Sequence, residues 1–281
     1  MRDLVVFLRP QRWSRAVAVI ALSFIGLAIP RLSHAQYSAP PLSQLAVGER
    51  YHVEIGGAFW NPSVAGVVSS EQFGLLGTNL DFVTDLGFQQ TRFNQFRLVL
   101  RPGRKHRFRA EYTPIVYEGT SVLKRNVTFN GISFPASLPV TSEFDWKVWR
   151  LGYEYDFFYT NRGFIGALID VRSTQFAASL SGPGRSEFTS ANAPLPAIGL
   201  AGRAYVAPSV AINFEVSGMN VPKFQKYQAH YYDWGLSGTV NLTNNVGVEG
   251  GYRRLTTFID IDRDQGDFKF DGIWFGAAVR F

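Results

Sequence analysis

The chain has 281 residues, of which 28 are basic, 22 acidic and none cysteine, so disulfides, thiolate metal sites and cysteine nucleophiles are excluded. The formal charge of +6 overstates its basicity, because residues 1–35 hold five of the arginines and one aspartate; without them the charge is +2, and no nucleic-acid partner is implied.

Residues 1–35 read as an address. Arg2, Arg9, Arg12 and Arg15 form a basic start, Ala16 to Pro30 is apolar, and Ser33-His34-Ala35 places small residues where a signal peptide is cleaved. The apolar run is interrupted by Ser23 and falls short of the roughly 20 residues a spanning helix needs. The expected division is therefore a signal peptide over 1–35, a polar lead-in over 36–49 containing Pro40-Pro41, and one β domain over 50–281 with no linker inside it.

The first strand is expected over about Arg50 to Trp60. Tyr51, Val53, Ile55, Gly57 and Phe59 share one face, and His52, Glu54 and Trp60 the other. Glu54 fixes which face meets lipid, since a carboxylate in hydrocarbon is costly. Residues 61–91 read as a long loop, with strand-like pieces at Val64 to Val68 and near Leu80. The second strand, about Arg92 to Arg101, turns Phe96, Leu98 and Leu100 outward and Arg97 and Arg101 inward, and Pro102-Gly103-Arg104-Lys105 is a tight turn. The third, from about His106, has Phe108 and Tyr112 outward against Arg107, Arg109 and Glu111. After a second long loop over 118–142, a fourth strand at about Glu143 to Phe157 sets Trp149, Leu151 and Tyr155 against Arg150, Glu154 and Asp156.

The alternation continues to the end of the chain. Ile165, Ile169 and Val171 oppose Asp170 and Arg172; Ile198, Leu200 and Val206 oppose Arg203; Ile212, Phe214 and Val216 oppose Glu215. Tyr232, Trp234 and Leu236 oppose Asp233, and Val246, Val248 and Tyr252 oppose Glu249 and Arg253. In the last strand, about Asp267 to Phe281, Ile273, Phe275, Ala277, Val279 and Phe281 oppose Gly272, Trp274, Gly276, Ala278 and Arg280. Ten strands result, with eight or twelve as alternatives, and the connections alternate long and short. That is the pattern of an all-β, up-and-down, antiparallel transmembrane barrel, with long extracellular loops, short periplasmic turns and both ends on the short-turn side.

Eight inward acids and nine inward arginines, with glycines between them, point to a largely plugged, charge-networked lumen rather than a wide pore. A structural role is expected for all of them. The aromatic residues are enough for two interfacial girdles, with Tyr51, Phe108, Tyr155, Phe157 and Phe281 on the periplasmic side and Phe59, Tyr232, Trp234 and Phe258 on the outer side. For catalysis the sequence offers His52, His106 and His230, the last near Tyr231 and Asp233, with no nucleophile placed beside it; no catalytic residue and no cofactor is assigned. Asp260, Asp262, Asp264 and Asp271 approach calcium-loop spacing, but the glycine falls one position late and the final Glu is missing, so no metal site is assigned either.

With its alternating last strand ending on Phe281, the chain resembles the bacterial outer-membrane β-barrel proteins, whose final strand is read by the barrel assembly machinery. The resemblance implies an outer-membrane location and partners in that machinery, in outer-membrane lipid and in lipopolysaccharide. Within that superfamily, omptin proteases carry paired aspartates and an Asp–His pair at the mouth, and lipid A deacylases a His–Ser pair with an acid. Neither set maps residue by residue onto this chain. A non-enzymatic barrel with contact-making loops is the leading expectation; a narrow channel for small or hydrophobic solutes and a mouth-sited enzyme are the alternatives.

Overall fold

In hydrocarbon no water can satisfy a backbone amide, so strands cross a bilayer only as a ring in which every edge is paired. The computed structural model describes residues 46–70, 78–224, 227–261 and 264–281, and closes such a ring. The expected signal peptide, the lead-in up to residue 45 and Asp262 lie outside the described residues.

In chain order the strands are β1 (Val53–Ser70), β2 (Leu80–Asp81), β3 (Phe93–Gly103), β4 (His106–Val122), β5 (Val127–Phe129), β6 (Ile132–Phe134) and β7 (Pro139–Thr160). They continue with β8 (Gly163–Gly182), β9 (Arg185–Ala207), β10 (Val210–Phe224), β11 (Tyr227–Asn241), β12 (Val246–Ile261) and β13 (Asp264–Arg280). Ten of these pair antiparallel with their sequence neighbours, and β13 returns to β1 from Glu54↔Arg280 to Ser70↔Asp264. The other three are short: β2 pairs with the upper part of β1, and β5 and β6 form a separate hairpin. The piece near Leu80 and the hairpin at 127–134, which would raise the count to twelve, are therefore satellites of a ten-stranded barrel.

The outward face matches the alternation. Ile55, Phe96, Leu151, Ile169, Ile198, Leu236 and Phe275 are all exposed, forming an apolar band around the barrel. Such an area of apolar surface in water would be strongly unfavourable, and around a closed barrel it is the lipid-facing belt.

The strands are longer than expected. β7 has 22 residues, roughly 70 Å along the strand and roughly 50 Å along the barrel axis at a tilt near 45°. The hydrocarbon-matching band needs only about 25 Å, so half the barrel stands in water. There the alternation inverts: Lys147 is exposed while Trp146 and Val148 are buried, and on β13 Phe268 and Phe270 are buried beside the exposed Asp267 and half-exposed Lys269. Residues 179–182, 185–194 and 220–224 continue the strands as well. β8 and β9 are joined by a tight hairpin at Gly182↔Arg185, where Gly184 takes φ +70°.

Two residues at the start of β1 differ from the expected alternation. Tyr51 is buried rather than in the girdle, and His52 is exposed rather than inward. The strand begins only at Val53. Just before it, the chain bends below the ring, with the His52 and Val53 amides both donating to the Phe281 carbonyl.

Candidate functional site in the barrel lumen

Through the membrane-spanning half, the inward side chains form a charge-paired lumen built of three ion-pair clusters. In its middle, Arg97 Nη2 reaches Glu249 Oε1 at 2.5 Å and Glu54 Oε1 at 3.2 Å. Arg107 Nη1 bridges Glu154 and Asp156, each at 2.6 Å, with its guanidinium 3.6 Å from the centre of the Phe164 ring. Arg109 pairs with Glu154 and with Glu215, the latter at 2.5 Å. Arg150 joins Glu215, Glu111 and Asp170. Above these, Arg172 links Asp170 at 2.8 Å to Asp233 at 2.9 Å, and Arg253 reaches the same Asp233 oxygen at 2.6 Å. At the bottom, Arg280 Nε donates to Glu54 Oε2 and its Nη1 to Asn241 Oδ1, both at 2.6 Å.

Eight acids against nine arginines leaves one cation over, and the ninth acid comes from outside the strands. Glu49, buried in the lead-in, lies 3.0 Å from Arg203 Nη1 and 3.3 Å from Arg101 Nη1, and accepts from the Tyr205 hydroxyl at 3.0 Å. Burial alone would raise its pKa. The charges of Arg203, Arg107 and Arg101 outweigh that and hold it below the ordinary carboxylate value. Strand alternation could not find Glu49, because it belongs to no strand; the odd arginine was the available signal.

Two closures flank this network. At the periplasmic end the backbone of residues 46–48 is tied to three different turns: Ala46 N donates to Asn161 O, Val47 N to Pro208 O and Gly48 N to Asn244 Oδ1. Asn241 Nδ2 in turn donates to Val47 O at 2.6 Å. Gly48 holds φ +83°, and a Cβ there would sit 2.8 Å from Arg280 Nη1, so only glycine fits. At the extracellular end the inverted alternation packs an apolar core inside the ring. Phe268 lies 5.2 to 6.5 Å, ring centre to ring centre, from Phe82, Phe144, Trp146 and Phe176. Phe82, Leu86 and Phe88 drop into it from the segment at β2, and Phe129 and Phe134 from the β5–β6 hairpin. Between the closures a cavity of about 160 Å³ remains among Tyr51, Arg97, Glu215, Arg253 and Trp274.

No protein-family model matches the chain, and no curated protein matches it. Among solved structures, the outer membrane protease OmpT from Escherichia coli superposes with a TM-score of 0.58 at 9% identity, over 86% of this chain and all of that one. The attachment invasion locus protein Ail of Yersinia pestis (TM-score 0.35, 10% identity, 81% of this chain and 99% of that one) overlaps far less. So does the P. putida toluene transporter TodX (0.35, 10%, 85% and 93%). The fold is that of the bacterial outer-membrane β-barrels.

The histidines of the barrel lie apart from its lumen. His230 points outward, stacked on Phe258 with ring centres 5.6 Å apart, while Tyr231 and Asp233 turn to the opposite face. Phe258 is therefore not in the outer girdle; it lies six residues above Tyr252 on β12 and packs against His230. His106 Nδ1 sits 2.7 Å from the Tyr153 hydroxyl, and His52 Nδ1 3.1 Å from Arg101 O. Asp271 accepts from Tyr252 and Ser63 and lies six residues down β13 from Gln265, the partner of Asp260, so those two acids do not converge. Among the described residues no three His, Cys, Asp or Glu side chains group as metal ligands.

Proposed function

We propose that this chain is a non-enzymatic outer-membrane barrel closed to conduction, which acts through its outer face and extracellular rim. Export by cleavage of residues 1–35 and recognition of the strand ending at Phe281 by the assembly machinery belong to the same reading. The observation that carries it is the succession of two seals of opposite chemistry along one axis. Paired charges fill the membrane half, and an aromatic core fills the half above it. An ion entering from outside would have to cross the apolar core without its hydration shell, and one entering from below meets the Glu49 closure. The test is planar-bilayer recording with the refolded protein. A silent bilayer is expected, and steady single-channel conductance would overturn the proposal.

The narrow-channel alternative draws on the lumen cavity of about 160 Å³, but that volume is bounded above by the aromatic core. A mouth-sited enzyme needs a cleft where that core stands, and its candidate imidazole, His230, is on the outside. Release of a peptide or acyl product by the wild type, lost in His230→Ala, would favour the enzyme.

A further inference from the structure

Every lumen arginine has a carboxylate partner, whereas two arginines on the outer surface at the upper edge of the belt, Arg92 and Arg254, do not share that pattern. On β1, β3, β12 and β13, the outward residues at the top of the belt are Phe59, Phe96, Tyr252 and Ile273. The next outward positions are Asn61, Asn94, Arg254 and Asp271. Headgroups of the outer leaflet lie at that height, beside the aromatic girdle. Arg254 is half-buried there, opposite Trp234 on one side and Asp271 on the other. Lys269 stands one outward position above Asp271 and opposite Thr256, diagonal to Arg254. Arg92, just before β3, is exposed and holds its guanidinium 5.8 Å from the Phe59 ring centre.

Among the described residues, neither Arg92 nor Arg254 has a carboxylate within ion-pair distance. The acid beside them, Asp271, is already engaged by the Tyr252 hydroxyl at 2.6 Å and Ser63 Oγ at 3.2 Å, and stands 3.8 Å from Lys269 Nζ. Asp267 and Asp260 are placed further from the belt. Two guanidiniums without a paired carboxylate, and an ammonium whose one carboxylate is shared with Tyr252 and Ser63, immediately above a girdle of Trp234, Tyr252 and Phe59, suit an anionic lipid headgroup with its chains on the girdle. The spacing narrows the class. The Arg92 guanidinium is held over Phe59, whereas Arg254 lies beyond β13 at the level of Asp271 and Ser63, four residues or about 13 Å further along β1, so the two sides offer separate phosphate positions.

We propose that this sector of the outer face binds a phosphorylated glycolipid headgroup of the outer leaflet, with Arg254 and Lys269 taking one phosphate and Arg92 a second. The proposal rests on the outer-membrane reading but not on whether the lumen conducts. The experiment uses refolded protein in zwitterionic detergent, titrated separately with bisphosphorylated lipid A, with its monophosphorylated form and with inorganic phosphate. Binding is read by native mass spectrometry, and heat-modifiable gel mobility certifies folding.

The wild type should prefer the bisphosphorylated lipid. R254Q/K269Q should weaken it by tenfold or more, and R92Q should remove the preference over the monophosphorylated form. Lys147→Gln, at a lysine on β7 already paired with Asp145 at 2.7 Å, should bind as the wild type does. Equal binding by all the variants would overturn the proposal, as would competition by inorganic phosphate at the lipid's own concentration, which would mark a simple anion site. Bilayer conductance of the same variants should stay at the wild-type level, so a failure of the sealed-barrel reading and a failure of the lipid site are separable.

Discussion

Replacing Glu49 by glutamine keeps the side chain's shape and removes one negative charge from between the buried Arg101 and the half-buried Arg203. Breaking a buried ion pair by removing one partner costs about 3 to 5 kcal/mol, because the other charge is left unpaired. The two arginines are not equally exposed to that loss. Arg101 keeps the Glu49 carbonyl at 2.6 Å, the Arg104 carbonyl at 3.1 Å and the Tyr159 hydroxyl at 3.1 Å, whereas Arg203 keeps Asn213 Oδ1 at 2.6 Å. The expected cost is therefore at the low end, about 3 kcal/mol. It is measured as the difference in urea-dependent unfolding in lipid vesicles, followed by gel mobility and tryptophan emission. Removing both charges in Glu49→Gln/Arg203→Gln should cost less than the sum of the single changes. The pH dependence has a definite sign. A carboxyl whose pKa is lowered on folding stabilises the protein above its unfolded value and loses that contribution as pH falls through the folded one, so wild type and Glu49→Gln should converge below about pH 4. A cost under about 1 kcal/mol at neutral pH, the value of a solvated surface pair, would refute the keyed closure.

Phe275→Arg places a cation on the lipid face, where Phe275 is 62% exposed, and should cost about 2 to 4 kcal/mol in vesicle unfolding; a neutral result would put the register of β13 in error. A Cβ on Gly251 would strike the Leu236 carbonyl oxygen, whereas one on Gly57 meets nothing within 4 Å. Gly251→Ala should accordingly cost about 1 to 3 kcal/mol, and Gly57→Ala should stay within about 0.5 kcal/mol of wild type in the same assay. Phe268→Ala should cost about 3 to 5 kcal/mol by opening a cavity among Phe82, Phe144, Trp146 and Phe176, and an unchanged midpoint would contradict the apolar core.

The membrane half was legible because a single rule holds throughout it: what is apolar faces out. Glu54 alone sets the parity of β1, and the observed pairing of Ile55 with Val279 and of Phe59 with Phe275 keeps the same faces together. Above the belt the rule reverses, as at Trp146, Lys147 and Val148 on β7. A reading that ends a strand when its apolar face turns polar stops soon after, and so assigns loop to residues 118–122 and 139–142, which continue the ladder. Tyr51 was misplaced for a related reason, since parity counts only after the chain has joined the sheet. Its ring lies instead 5.3 and 5.7 Å from the guanidiniums of Arg101 and Arg280. Histidine 230 shows the remaining gap: neighbours in sequence on a strand, such as Tyr231, are on opposite sides of the wall.

The inversion of polarity partway along each long strand means that one hydrogen-bonded ladder spans two solvents and is stabilised differently in each. The extracellular half has oil inside and water outside, so its melting exposes apolar surface to water and carries a large positive heat-capacity change. The membrane half exchanges lipid contacts for other lipid contacts and contributes little of that term. Heating in vesicles should therefore give a calorimetric signal that reports chiefly on the part of the barrel furthest from the bilayer. Cold should loosen that same part first, leaving a shorter ring of the same ten strands held in the membrane.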